Sequence, residues 1–264
     1  MSEHDLKAAI RQKYGEAALM VFQGARASCC ESGAAGSACD PVSADLYERQ
    51  ETAGLPEEAL EASLGCGNPT ALAELQAGET VLDLGCGGGV DVLLAARRVG
   101  PAGWVLLYDI NPRMIAAGLP KLRAATGGAA VRPVVGNAEE IACREGAFDA
   151  AMVGFGIRNV TRMRRAFAEM HRVLRPGGRL LCLEFSRPRW AWFRFLYDLY
   201  SFRVMPVLGE RIAGSRQAYT HLPESIRTFP LPGELARLLR AVGFRDVAWR
   251  PFTNGIAVAH LATR

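Results

Sequence analysis

Between Val81 and Val99 the chain reads as a short apolar strand, a five-residue cluster containing four glycines, and a helix. That unit constrains the fold more than any other feature. Glycines at Gly85, Gly87, Gly88 and Gly89 permit positive φ and let a ligand approach the backbone closely. Strand and helix signals then alternate. A strand over 104–108 ends at Asp109, a helix covers about 112–123, and further strands follow at 131–135 and 147–153, the latter ending at Gly154. A helix over about 161–174 and the turn Arg175-Pro176-Gly177-Gly178 lead into a strand at 179–185. Short connections between alternating strands and helices predict an α/β fold, a mostly parallel sheet covered on both faces. The pattern breaks over residues 187–231, a stretch too long for a plain connection and read as a lid or substrate wall. A helix over 232–242 and strands near 245–250 and 255–262, joined through Thr253-Asn254-Gly255, predict an antiparallel C-terminal hairpin and a seven-stranded sheet. Residues 1–75 read as a helical, cysteine-containing cap and 76–264 as the α/β domain.

Ligands of open parallel sheets bind beyond the carboxyl ends of the strands. The glycine cluster lies there, and Asp109 follows Gly87 by 22 residues at the end of the next strand, where a carboxylate can accept both hydroxyls of a ribose. A dinucleotide site shares this logic. Two features argue against one: Val90 takes the position where such a fold wants Gly or Ala, and Asp83 would repel a pyrophosphate but suits a cationic amino-acid ligand. With the Pro-Gly-Gly turn, the constellation resembles the Rossmann-like class I methyltransferases. That resemblance implies S-adenosylmethionine as cofactor, with Asp83, Gly85, Gly87 and Gly88 at its methionine end. Asp109 would take the ribose, Asn137 and Ala138 the adenine, and Gly154 would close the pocket.

Two families are resembled in different stretches. From Gly154 onward the chain is similar to the quinone C-methyltransferases of ubiquinone and menaquinone biosynthesis. The matching segments are residues 154–161 (GFGIRNVT), 172–186 (RVLRPGGRLLCLEFS) and 197–202 (YDLYSF). Tyr219 with Leu222 to Ile226, and Gly255-Ile256 before His260, complete the set. Upstream, Tyr14-Gly15, the Cys29-Cys30 pair, residues 55–73 and residues 81–100 resemble arsenite methyltransferases. As(III) is soft and is held by converging thiolates, for which Cys29, Cys30, Cys39 and Cys66 are the candidates. Substrate selection belongs mainly to the region after the fourth strand, which is of quinone type. The favoured expectation is therefore methylation of a ring carbon of a polyprenylated quinol, with arsenite methylation as the alternative. The resemblance implies that Arg158 and Asn159 organise a water-assisted deprotonation. A guanidinium keeps its proton in proteins, so Arg158 is an electrostatic stabiliser and not a base.

Charge is uneven along the chain. Residues 1–150 carry 12 basic and 20 acidic side chains, whereas 151–264 carry 19 and 7, a net +12. No nucleic-acid motif accompanies the basic half, so an anionic surface or substrate is expected instead. Residues 190–202 hold 7 of the chain's 21 aromatic residues, flanked by Arg189, Arg194 and Arg203. This composition suits a wall for an isoprenoid tail at a bilayer interface, or a buried lid helix. Tyr197, Tyr200 and His221 are the substrate-side candidates; His171 and His260 read as packed residues. Absence of a long apolar run predicts a cytoplasmic protein, which the aromatic and arginine-rich stretch would place peripheral to the inner face of the membrane; self-association is compatible with the sequence, and no resident metal is expected. The odd count of seven cysteines reads as free thiols, apart from Cys29, Cys30 and Cys39, clustered near the N-terminus.

Overall fold

The computed structural model describes residues 73–87, 89–125, 129–201 and 223–264. The predicted cap lies outside the described residues except for its last three. In chain order the elements are β1 (Thr80–Leu84), α1 (Val90–Val99), β2 (Trp104–Asp109), α2 (Pro112–Ala125), β3 (Ala130–Val135), β4 (Phe148–Gly154), α3 (Met163–Val173) and β5 (Leu174–Phe185). There follow α4 (Ala191–Leu199), α5 (Pro232–Val242), β6 (Arg245–Phe252) and β7 (Ala257–Thr263). Short 3-10 turns occupy Ile157–Asn159 and Thr253–Gly255.

The seven strands form one sheet in the order β3-β2-β1-β4-β5-β7-β6. The β1–β2, β2–β3, β1–β4 and β4–β5 pairs are parallel, and β7 runs antiparallel to both β5 and β6. This is the mostly parallel seven-stranded α/β sheet with an antiparallel C-terminal hairpin that the alternation of elements predicts. Consecutive side chains of a strand point to opposite faces, so an apolar strand feeds two cores. Val81 packs with α1 and α2 residues such as Leu93, Ala96, Ile115 and Leu122. Leu82 and Leu84 pack on the other face with Phe167 and Met170 of α3 and Leu235 and Leu239 of α5.

One departure from the expected boundaries has a physical cause. β5 begins five residues early because Leu174 pairs with Phe148 before the register shifts to Ala150 and Arg179. The Pro-Gly-Gly turn inside it is clasped by the chain's last residue: Gly177 N donates to Arg264 O at 3.0 Å and Arg264 N donates to Gly178 O at 2.9 Å. Of the lid stretch, residues 187–201 and 223–231 are described, and they contain α4. No residue of α4 is buried, which overturns the buried-lid expectation for its described part. Among the described residues, no helix is long and apolar enough to cross a membrane.

Candidate active site

The strand order reverses at β1, whose two neighbours are reached by chain running in opposite directions along the sheet. Helices leaving such a point diverge and open a crevice. A crevice of about 600 Å³, counting its open mouth, lies there. It is lined from the ends of all four neighbouring strands: Gly85 after β1, Asp109 from β2, Asn137 and Ala138 after β3, and Asn159 after β4. Five predicted site residues are thus brought together. Gly154 stands at the end of β4, paired with Leu183, between the lining residues Val153 and Gly156. Gly88 and His221 lie outside the described residues, as do Cys29, Cys30, Cys39 and Cys66.

The floor is built by backbone. Gly85 and Gly87 adopt φ of 73° and 50°, a left-handed region that side chains with a Cβ rarely adopt. A Cβ on Gly85 would stand 3.8 Å from the Cα of Gly156, so the turns after β1 and β4 lie almost in contact. The β3 turn is set by Tyr108. Its hydroxyl lies among the carbonyls of Asn137 and Glu140 (3.5 and 3.3 Å) and accepts from Ala142 N at 3.3 Å. A Cβ on Gly136 would sit 2.0 Å from that hydroxyl oxygen, so only glycine fits. Asn137 then folds its own turn, its Oδ1 accepting from Glu139 N at 3.1 Å.

Asp109 is fixed by the chain around it. Its Oδ2 accepts from Gly87 N at 3.1 Å and its Oδ1 from Asn111 N at 2.8 Å. Burial pushes its carboxyl up, and these amide bonds oppose the shift. Asp83 is more severely placed. It is 2% exposed, and its Oδ2 is buried without a hydrogen-bond partner. Burial raises its pKa well above the usual carboxylate value, and the charges of Asp91 and Asp109 raise it further. An orphaned carboxylate oxygen inside a cluster of acids is complementary to a cation. The residues present therefore fit a ligand with an ammonium beside a ribose, as S-adenosylmethionine has.

Arg158 occupies the 3-10 turn after β4, between the lining residues Ile157 and Asn159. Its side chain is only 9% exposed and pairs with Glu184 of β5, Nη1 to Oε1 2.5 Å, while Nη1 also donates to the carbonyl of Phe155. Its Nε is buried without an acceptor. Glu184 also accepts from Phe185 N at 2.9 Å and Arg158 N at 3.3 Å. Burial raises the Glu184 carboxyl pKa and the guanidinium lowers it, with burial the stronger influence. Phe155 completes the arrangement in a left-handed conformation (φ 51°), its ring 4.4 Å from that of Phe185. Such backbone strain costs on the order of 1–3 kcal/mol and persists only where surroundings enforce it.

Sequence reasoning missed Glu184, Glu139 and Tyr108. Glu139 is 1% exposed, lines the crevice, and accepts from the backbone N and Nε of Arg162, both at 3.0 Å. A lone acid interrupting an apolar strand, Leu181-Cys182-Leu183-Glu184-Phe185, was the available signal for Glu184. Tyr197 and Tyr200 lie on or just after α4 and do not line the crevice; Tyr200 is 49% exposed. His260 is buried on β7 with Nε2 3.0 Å from Pro232 O, and burial lowers its pKa. His171 packs edge-on against Phe244, with ring centroids 4.9 Å apart. Cys86, Cys143 and Cys182 are free thiols; burial pushes each thiol pKa up.

Comparison with known proteins agrees with this geometry. The profile of the ubiE/COQ5 methyltransferase family matches residues 70–264. The ubiquinone/menaquinone biosynthesis C-methyltransferase of Rubrivivax gelatinosus is 45% identical over 196 residues, 73% of each chain. The mitochondrial 2-methoxy-6-polyprenyl-1,4-benzoquinol methylase of Bos taurus is 45% identical over 156 residues, 59% of this chain and 47% of that protein. Among solved structures, an arsenic(III) S-adenosylmethionine methyltransferase from Chlamydomonas reinhardtii superposes with a TM-score of 0.58 at 23% identity. It covers 86% of this chain and 73% of its own, a likeness of fold. The chain belongs to the ubiE/COQ5 methyltransferase family and is an S-adenosylmethionine-dependent methyltransferase.

Proposed function

We propose that the protein methylates a ring carbon of a polyprenylated quinol of the ubiquinone or menaquinone type. The observation that carries the reading is a buried guanidinium, Arg158, held beside the crevice on the segment that immediately follows β4. When bound, S-adenosylmethionine supplies a methyl carbon already activated by its sulfonium. Asp83 receives the ammonium of its methionine end, with Gly85, Gly87 and Gly88 forming the wall against which it lies. Asp109 keeps one lone pair of each oxygen on a backbone amide and offers the others to the ribose hydroxyls. Asn137 and Ala138 face the adenine, and Gly154 closes the pocket.

The remaining task for the chain is to raise the nucleophilicity of the ring. A ring carbon becomes nucleophilic when its neighbouring hydroxyl ionises, and a preorganised positive charge stabilises the oxyanion. Arg158 supplies that charge. Asn159 orients the water that takes the hydroxyl proton toward bulk solvent. Glu184 acts through Arg158: by fixing Nη1 it keeps the guanidinium from swinging out to solvent. Alignment of ring and donor contributes up to roughly 7–11 kcal/mol in favourable cases. Tyr197, Tyr200 and His221, in the lid over 187–231, contact the substrate, and residues 1–75 cap it. The protein works in the cytoplasm, peripheral to the anionic inner face of the membrane, where such a substrate dissolves.

The test incubates the purified protein and methyl-labelled S-adenosylmethionine with a short-tail demethylquinol, and separately with arsenite plus thiol. Label in the quinone fraction supports the reading. Label in methylated arsenic species alone overturns it and assigns the function to Cys29, Cys30, Cys39 and Cys66.

A further inference from the structure

α4 turns a row of large apolar side chains outward. Trp190, at its amino end, is 60% exposed, Trp192 62% and Phe195 69%, with Leu196 and Leu199 about half exposed. The segment entering the helix carries Arg187 and Arg189 and the helix itself Arg194, all exposed, and none of them is ion-paired with a carboxylate among the described residues. Arg187 donates to the carbonyl of Arg227, and Arg194 donates to the carbonyls of Pro188 and Arg189 at 3.0 and 3.3 Å. Asp198, the acid of this helix, is engaged by Arg227 at 2.9 Å. Among the described residues, three guanidiniums in eight residues thus stand without a carboxylate partner beside stacked indoles, Trp190 and Trp192 lying 6.0 Å apart at 23°.

At the foot of the helix is a second cleft of about 680 Å³, counting its open mouth, lined by Arg189, Trp190, Pro251, Asn254 and Gly255. Its wall is the β6–β7 connection, where Thr253, Asn254 and Gly255 are left-handed in succession (φ 44°, 53° and 90°). That conformation is held by the segment before α4, since Arg189 N donates to Asn254 O at 2.9 Å and Ser186 N to Ile256 O at 2.8 Å. The Asn254 carboxamide nitrogen is buried and finds no acceptor. The cleft is lined by one cationic residue, Arg189, a carboxamide and a flat indole, with no carboxylate among its residues. It opens on the edge of the sheet that also carries the crevice, because Phe185 at the carboxyl end of β5 pairs with Ala257 just after the turn.

A cleft that carries a guanidinium and no carboxylate suits a ligand presenting several acceptor oxygens and negative charge. The exposed tryptophans, phenylalanine and leucines beside it suit the interface between head groups and acyl chains. Inorganic phosphate satisfies the first condition only. RNA satisfies the charge and could stack on indoles, but gives the leucines nothing to bury against. We propose that the cleft binds the phosphodiester of an anionic glycerophospholipid and so seats α4 on the bilayer. This deepens the reading of a membrane-borne substrate by assigning the partner surface, and it does not depend on which ring is methylated.

The full chain is tested by flotation with phosphatidylcholine vesicles containing or lacking phosphatidylglycerol. Variants Arg189→Gln and Asn254→Gly remove one donor each, the second keeping a residue at ease with positive φ. Arg237→Gln on α5 removes an equal charge elsewhere. The expected result is binding to the anionic vesicles only. Arg189→Gln and Asn254→Gly should each weaken it about ten-fold, the scale of one hydrogen bond to a charged group, with Arg237→Gln unchanged. Unchanged binding by the two cleft variants, equal loss in Arg237→Gln, equal binding to neutral vesicles, or full competition by millimolar inorganic phosphate or by RNA would each overturn the proposal. Methylation of a detergent-free short-tail quinol by Arg189→Gln should equal that of the unmodified protein. If neither methylates it, the quinol reading fails while the vesicle result still stands.

Discussion

Asp83 sits close enough to Asp91 and Asp109 to feel both charges, with one carboxylate oxygen unsatisfied, a placement that destabilises the ligand-free protein and favours a bound cation. Asp83→Asn should therefore act in opposite directions on two measurements. It should raise the melting temperature of the ligand-free protein, and it should weaken S-adenosylmethionine binding by calorimetry about ten-fold or more. A fall in both would mean that Asp83 serves packing alone. Arg158 and Glu184 need a different comparison. Arg158→Ala strands a buried carboxylate, which costs about 3–5 kcal/mol, so its lost activity confounds folding with catalysis. Glu184→Gln keeps the shape and removes the charge. Below its melting temperature it should lower kcat for the quinol and leave cofactor affinity unchanged; an unaltered kcat would remove Glu184 from any part in orienting Arg158. The two residues also mark the limit of what was legible. Asp83 and Asn137 announce themselves near glycines at strand ends, and Asp109 at the end of the next strand, 22 residues after Gly87. Glu184 meets Arg158 across 26 residues of chain, a proximity with no periodic trace.

At the scale of elements, strands β1 to β4 and helices α1, α3 and α5 were readable because short apolar runs between turn residues and 3.6-residue spacing both leave local signals. The early start of β5 was not, since Leu174 joins the sheet only by pairing with Phe148. Nor was the outward face of α4: a helix apolar nearly all round is read as buried until its neighbours are placed. The β3 turn shows how an element end becomes part of a site. Tyr108 fills the space that any side chain at position 136 would need, and the same tyrosine holds the Asn137 turn. Gly136→Ala should lower stability by about 1–3 kcal/mol, as overpacking does, and weaken the adenine side of the cofactor site in the same variant. In a Tyr108→Ala background the alanine should cost much less. Additive losses in that double-mutant cycle, read from denaturant melts, would separate glycine from tyrosine.

For the whole molecule, the raised carboxyls of Asp83 and Glu184, like that of Asp109, contribute to the slope of stability against pH in the ligand-free state, and the lowered carboxyls of Asp149 and Glu169 oppose them. A carboxyl whose folded pKa exceeds its unfolded value, near 4, stabilises the fold fully below that value and loses the contribution as pH rises through the folded pKa. Asp83 and Glu184 therefore pull stability down as pH climbs from about 4 toward neutrality. Cofactor binding changes only one of them. An ammonium beside Asp83 favours its ionised form, so binding from the acid side must release a proton, whereas Glu184 keeps its environment and cancels between the two states. The rise in melting temperature produced by saturating S-adenosylmethionine should consequently grow with pH across this window and level off once Asp83 is ionised without ligand. Calorimetry in buffers of different ionisation enthalpy should detect the released proton below that plateau, and Asp83→Asn should remove the share of both the proton and the pH dependence that Asp83 carries, leaving only what Asp109 contributes on binding the ribose. A ligand-induced shift that stays flat with pH in the unmodified protein would mean that the cation does not lie against Asp83, and the orientation assigned to the cofactor along the crevice would have to be reversed.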